Sequence, residues 1–209
     1  MSVVLYKNVL SSELVQRLIT SLNPPEDLNH VEENGWMQVQ LGPEGNRAPN
    51  NKLRGWLPPD FQYNTNKQGF RKYIHLVDYP FLNEGLNLRF GCNINWQIEH
   101  CLLDKLYAIV YYPGYGLYPH GDAAAYSCSL SLKLADSGGD LFYELNGKSV
   151  KIPQMDNDLV ASYQPTPHWV TPIVKGNRLT ITFFMNSVPE LIEADLRIAN
   201  ETPDKWIIR

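Results

Sequence analysis

Residues 126–134 read YSCSLSLKL, which sets Tyr126, Cys128, Leu130, Leu132 and Leu134 against Ser127, Ser129, Ser131 and Lys133. Residues two apart share a face only in an extended strand, where successive side chains point to opposite sides. Residues 178–185, RLTITFFM, repeat the pattern, with Leu179, Ile181, Phe183 and Met185 opposing Arg178, Thr180 and Thr182. A polar face looking only at bulk water would give the same alternation. If a helix covers the apolar faces instead, the polar faces turn inwards. They then line a lumen in which Arg178, Thr180 and Lys133 make a pocket for an anion.

A helix for that purpose lies near the start of the chain. Ser11 or Ser12 caps a segment whose Leu14, Val15, Leu18, Ile19 and Leu22 fall on one face, and Pro24 and Pro25 end it. Residues 3–6 precede it as a short strand. Residues 69–77 read as a returning strand, and 80–90 as a short helix around Phe81, Leu82 and Leu86. Asn, Gly and Pro are dense between 26 and 68, a loop length that compact domains usually keep for function. Trp36, Arg47, Asn51, Arg54 and Trp56 in this stretch read first as surface and small packing clusters, and second as a substrate entrance.

From 106 onwards the strands come quickly: about 106–112, 117–120, 126–134, 140–145, 148–152, 158–163, 168–174 and 178–185. Asn146-Gly147 between LFYEL and KSVKI marks a hairpin, because both central positions of a type I′ turn need positive φ. Eight short strands with turn residues between them fit a double-sheet jelly roll, mainly β with flanking helices.

Chemistry-bearing residues cluster in the same region. YYPGYGLYPHGD (111–122) carries His120 and Asp122, and QPTPHWVTPIVKGNRLTITFFM (164–185) carries His168 and Arg178. Two imidazoles and one carboxylate are the set that holds a non-heme Fe(II) on one face and leaves the opposite face open. Arg178 offers a permanently charged planar fork that grips a carboxylate with two hydrogen bonds. Alone, His120 reads as a surface histidine, Asp122 as a turn residue, and Arg178 as half of a structural ion pair. His30, His75 and His100 have no such setting.

Taken together, Tyr112-Pro113-Gly114, the His120-Gly121-Asp122 triplet, Gly138-Gly139-Asp140-Leu141, the phrase HWVTPIVKGNR and Thr180 resemble the Fe(II)- and 2-oxoglutarate-dependent oxygenases. In spacing they are most similar to the prolyl-hydroxylase-like branch, over roughly residues 105–185. The resemblance implies a double-stranded β-helix in which His120, Asp122 and His168 bind the metal and Arg178 takes the distal carboxylate of 2-oxoglutarate. It further implies that Thr180 helps hold that carboxylate and that Tyr112 reaches the co-substrate pocket. Lys133 is carried over more loosely, near a place where that branch often has a tyrosine. Tyr115, Tyr118, Tyr126 and Trp169 are the aromatic candidates for substrate contact. The implied reaction uses Fe(II), 2-oxoglutarate and O2 to hydroxylate a small molecule, an amino acid or a peptidyl residue, proline-like ones included. Succinate and CO2 are released. Asp122 sets the chain apart from halogenating relatives, which have a small residue there, and Phe184 stands where the nucleic-acid-repair branch carries a second arginine. A jelly-roll binding module without turnover is the competing expectation.

Length and composition bound these readings. With 209 residues, 44% hydrophobic and 19% charged, the chain reads as one globular domain over 1–209 rather than a disordered one. A net charge of −4 without a basic stripe disfavours a nucleic-acid backbone as partner. No segment has the roughly 20 apolar residues of a membrane span. The start shows no secretory leader, and three cysteines without paired spacing fit a reduced, cytoplasmic setting.

Overall fold

The computed structural model describes residues 3–27, 34–40, 68–74, 78–82, 103–122, 126–163, 166–185 and 205–208. In chain order the elements are β1 (Val3–Tyr6), α1 (Ser12–Leu22), β2 (Trp36–Gln40), β3 (Gln68–Tyr73), β4 (Leu103–Tyr111), β5 (Leu117–His120) and β6 (Tyr126–Lys133). They continue as β7 (Ser137–Gly138), β8 (Leu141–Leu145), β9 (Lys148–Lys151), β10 (Leu159–Tyr163), β11 (His168–Val170), β12 (Ile173–Lys175), β13 (Arg178–Met185) and β14 (Lys205–Ile208). Among the described residues the strands form an eight-stranded sheet, β14-β1-β10-β6-β13-β4-β3-β2, a four-stranded sheet, β5-β11-β8-β9, and a small β12-β7 ribbon. All pairings are antiparallel, as in a jelly-roll double-stranded β-helix.

Helix α1 decides which face of the large sheet is inside. Ser11 caps it by accepting a hydrogen bond from the Leu14 N–H at 3.2 Å, and Asn23 in the left-handed region closes its last turn. Leu18 and Leu22 are fully buried against Cys128, Leu130, Leu132, Leu179 and Ile181. Burying two such leucines contributes roughly 1.5–3 kcal/mol each. The apolar faces of β6 and β13 are therefore helix-covered, and Ser127, Ser131, Arg178 and Thr180 are buried on the opposite, inner side. Between the sheets, Val3, Leu5 and Val160 pack on Leu141, Tyr143, Leu145 and Val170. A second cluster of Tyr107, Ile109, Tyr111, Tyr115 and Ile173 borders the other part of the lumen.

Most expected strands are present, with instructive departures. The Asn146-Gly147 turn has φ of 52° and 75°, and pairs Leu145 with Lys148 as a tight hairpin requires. The stretch 168–174 is split into β11 and β12 at Thr171-Pro172, where proline has no N–H for a ladder. Trp36 lies in β2, a strand absent from the sequence reading. It is buried, with its Nε1–H donating to the Leu22 carbonyl at 2.8 Å, so it belongs to the core rather than an entrance. Residues 80–82 are helical, while the remainder of the expected 80–90 helix, together with Arg47, Asn51, Arg54, Trp56, His30, His75 and His100, lies outside the described residues. No helix among the described residues is long and apolar enough to cross a membrane.

Candidate metal and co-substrate site

The two histidines meet because their strands do. β5 and β11 pair with His120 opposite His168, and the ring centroids lie 4.3 Å apart. Asp122, two residues beyond the end of β5, turns its carboxylate between them: Oδ1 is 3.7 Å from His120 Nε2 and Oδ2 is 3.5 Å from His168 Nε2. One ligand atom from each of the three lies within 4.8 Å of the others. The His168 Nδ1–H donates to the Thr166 carbonyl at 2.9 Å, so that Nε2, the nitrogen facing Asp122, is the one that a neutral imidazole would offer to a cation. The Ser127 hydroxyl donates to Asp122 Oδ2 at 2.7 Å and fixes the carboxylate from the neighbouring strand β6. Tyr143 stacks on His168 with centroids 5.0 Å apart. Two imidazole nitrogens and a carboxylate converging at this distance suit a divalent cation, and neutral histidine with ionised aspartate is the form that binds one.

A second group of polar side chains is gathered around Arg178, only 2% exposed on the inner face of β13. Its Nη1 donates to the Gly139 carbonyl at 2.5 Å and its Nη2 to Gln154 Oε1 at 3.1 Å. Burial lowers its pKa, opposed by the Tyr111 phenol and the Asp140 carboxylate. Gly138 and Gly139 make the close approach possible: both have positive φ, and a Cβ on Gly138 would collide with the Pro172 carbonyl. The phrases GGDL and HWVTP are thus halves of one junction, tied by Gly139 N–H to Pro172 O at 3.2 Å and Asp140 N–H to Thr171 Oγ1 at 2.8 Å.

This pocket has unmet hydrogen-bonding capacity. Arg178 Nε, Ser131 Oγ and Gln154 Nε2 are all buried without a partner among the described residues. Ser131 sits opposite Thr180 on the adjacent strand, and Thr180 is hydrogen-bonded to the Tyr111 side chain. Buried donors left unmet cost free energy, so an arginine, two hydroxyls and an amide converging in this way fit a small carboxylate ligand. The Tyr111 phenol feels both the Arg178 guanidinium and the Asp122 carboxylate, which links the two halves of the site. Burial is the largest effect on it and keeps its pKa raised.

The remaining candidates are placed differently. Tyr112 points to the helix side: its hydroxyl donates to the Pro25 carbonyl at 2.8 Å and its ring meets Phe70 edge-on, so it does not reach the pocket. Its neighbour Tyr111 faces Arg178 and Thr180 instead and stacks on Tyr115 with centroids 4.6 Å apart. Lys133 is exposed, because a β-bulge between Leu179 and Thr180 slips the register, and Lys133 pairs with the helix-side Leu179 instead of continuing the inner serine face. Trp169 is buried against Phe142, next in line to His168 and so on the other face of β11. The side chains of Tyr118 and Tyr126 lie outside the description. Gln154 belongs to no motif in the sequence reading, and Tyr111 opens the stretch 111–122 without a role assigned to it there; strand parity in β4 is the signal that would have found Tyr111.

A jelly roll with a His-Asp-His cluster and a buried arginine defines a class of fold and site, and comparison with solved structures agrees on the fold. A collagen prolyl hydroxylase from Paramecium bursaria Chlorella virus-1, solved with 2-oxoglutarate, superposes with a TM-score of 0.52 at 12% identity, covering 88% of this chain and 95% of that one. A Trichoplax adhaerens prolyl hydroxylase bound to a hypoxia-inducible-factor peptide gives 0.51 at 16%, over 93% and 86%. The non-heme α-ketoglutarate-dependent epimerase SnoN of nogalamycin biosynthesis gives 0.50 at 15%, over 88% and 78%. No protein-family model matches the chain, and no curated protein does. The chain resembles the 2-oxoglutarate/Fe(II) oxygenases in fold, prolyl hydroxylases among them.

Proposed function

We propose that this chain is an Fe(II)- and 2-oxoglutarate-dependent oxygenase, a single cytoplasmic domain that hydroxylates an unactivated C–H bond of a small molecule, amino acid or peptidyl residue. The observation that carries the reading is the meeting of His120, Asp122 and His168 beside a buried arginine whose Nε has no partner among the described residues. Bound in this lumen, ferrous iron, 2-oxoglutarate and dioxygen would supply the oxidising power, with succinate and CO2 as by-products. The chain's own residues do the positioning. His168 presents Nε2 because Thr166 holds its other nitrogen, and Ser127 keeps the Asp122 carboxylate turned inwards. Arg178, Thr180 and Ser131 receive the distal carboxylate of the co-substrate. The Tyr111–Tyr115 stack walls that end against water. A carboxylate at Asp122, where halogenating relatives have a small residue, would serve as a metal ligand and favours hydroxylation, or another oxidation such as desaturation, over halogenation.

Anaerobic addition of Fe(II) and 2-oxoglutarate should raise a weak visible charge-transfer band. A screen of amino acids and small metabolites should then find substrate-stimulated succinate release and a product heavier by one oxygen. No band, and no succinate with any compound, would leave a jelly-roll binding module instead.

A further inference from the structure

Arg71 is a second guanidinium on the inner side of the large sheet. β3 pairs with β4 so that Arg71 is opposite Ile109 and Tyr73 opposite Tyr107, which puts both on the face that carries Tyr107 and Tyr111. The Arg71 Cζ lies 4.5 Å from the centre of the Tyr107 ring, and Tyr107 in turn meets Tyr73 edge-on with centroids 6.4 Å apart. Burial falls off along this row: Tyr107 is 8% exposed, Arg71 is half-buried and Tyr73 is 46% exposed. The Tyr107 phenol feels the charges of both Arg71 and Asp122, so the row leads from the rim towards the histidine cluster.

What sets Arg71 apart is the missing anion. Its Nε is buried with no hydrogen-bond acceptor, and among the described residues no carboxylate pairs with it. Its guanidinium lies over the face of the Tyr107 ring, which orients it and leaves its in-plane N–H donors pointing outwards. A planar cation held flat on a tyrosine, with free donors in a lumen, is built to meet a planar anion in a two-pronged contact. Arg178 already serves the co-substrate under the reading above, so this anion belongs to a different molecule.

We propose that Arg71, seated on Tyr107, is the docking point for a carboxylate of the substrate, and that the substrate is therefore a carboxylic acid rather than a neutral or cationic molecule. The acid anchors at Arg71 and the oxidised C–H lies towards the histidines. A free amino or organic acid and the terminal or side-chain carboxylate of a short peptide share this chemistry.

The inference rests on the oxygenase reading, and one set of measurements separates the two. Wild-type protein and Arg71→Gln, each loaded with diamagnetic Zn(II) and 2-oxoglutarate, are titrated with the common amino acids, with dicarboxylic acids, and with short peptides ending in a free carboxylate. The methyl ester or amide of each serves as control. Binding is read by thermal shift and by the Nε–H NMR signal absent from Arg71→Gln. The expected result is that at least one acid moves the Arg71 signal and loses roughly ten- to hundredfold in affinity on esterification or in Arg71→Gln. Which arm responds tells a free acid from a peptide. If no acid disturbs the Arg71 signal, or acids and esters bind alike, the proposal is overturned. The Fe(II)/2-oxoglutarate band in the same two proteins isolates the cause: present in both, it leaves the oxygenase reading standing while the anchor fails; absent from wild type, it removes the oxygenase reading itself.

Discussion

The two arginines of the lumen sit in opposite environments. Arg178 is 2% exposed, has two of its nitrogens held by Gly139 and Gln154, and lies behind a tyrosine stack; Arg71 is half-buried, rests on one ring and opens to the rim. A buried guanidinium braced on two sides is a socket for one ligand of fixed shape, because bracing removes the freedom that binding would otherwise have to freeze. A guanidinium steadied on one face only can accept ligands of varied outline. Under the proposed function, the contrast is between a co-substrate socket and a substrate anchor, both within reach of the Tyr111 phenol on one face of the large sheet.

The strongest way to break that picture is to remove the centre. Asp122→Ala deletes the single charge in the cluster, and His168→Ala deletes a nitrogen whose tautomer is already set. Each should lower Fe(II) affinity by more than about a hundredfold, beyond the ten- to hundredfold typical of groups that merely orient a ligand. Equilibrium dialysis with Fe(II) under anaerobic conditions checks this. Near-normal retention of metal in both variants would mean that the cluster is not a metal site.

Next in size is the buried socket. Arg178→Gln removes the charge-assisted contacts to a carboxylate, each worth roughly 1.5–3 kcal/mol, so 2-oxoglutarate affinity should fall about a hundredfold. Acids bound at Arg71 should be affected far less. Calorimetric titration with 2-oxoglutarate on the Mn(II)-loaded protein measures it, and an unchanged Kd would remove Arg178 from the co-substrate site. Gln154→Leu keeps the volume but removes the acceptor for Nη2, and should weaken 2-oxoglutarate roughly tenfold. Its loop should not collapse, since Asn157 and Asp158 hold it independently: Asn157 Oδ1 accepts from Leu10 N–H at 3.0 Å and Asp158 from Lys7 at 2.7 Å. A Gln154→Leu protein with wild-type affinity but a lower Tm would show Gln154 to be a structural brace alone.

How much of this was readable beforehand depends on how local each signal is. The Asn146-Gly147 hairpin and the alternation in 126–134 and 178–185 were legible because turn chemistry and a period of two act over a few residues. The inward turn of the serine faces followed once Leu18 and Leu22 were recognised as needing a sheet to cover. The four residues His120, Asp122, His168 and Arg178 stood out by type and spacing. Lys133 was misplaced because one extra residue in β6 reverses every face beyond it, and a bulge leaves no mark in a single strand's sequence. Trp169 was misplaced by parity, since a neighbour of an inward histidine in a strand faces outwards. β2 pairs across a long separation with β3, and β14 with β1, so neither carries its own evidence. Arg71 and Gln154 belong to no spacing pattern; only the folded lumen shows what surrounds them.

The finest test of the two-ended lumen uses neighbouring residues of one type. Tyr111 and Tyr112 are adjacent, yet the pleat of β4 and its continuation send one to Thr180 in the pocket and the other to Pro25 under the helix. Removing only the hydroxyl leaves both rings in place, so the comparison isolates a single hydrogen bond on each side of the sheet. Tyr111→Phe should weaken 2-oxoglutarate about three- to tenfold through the freed Thr180 hydroxyl and leave Tm nearly unchanged. Tyr112→Phe should do the reverse, losing about 1 kcal/mol of stability, because the Pro25 carbonyl is left without its donor, while 2-oxoglutarate binds as before. Denaturant unfolding and co-substrate titration of the two variants check both halves. If Tyr112→Phe proves to be the one that weakens 2-oxoglutarate, the register of β4 against β13 is wrong by one residue, and the assignment of inner and outer faces at this end of the lumen reverses with it.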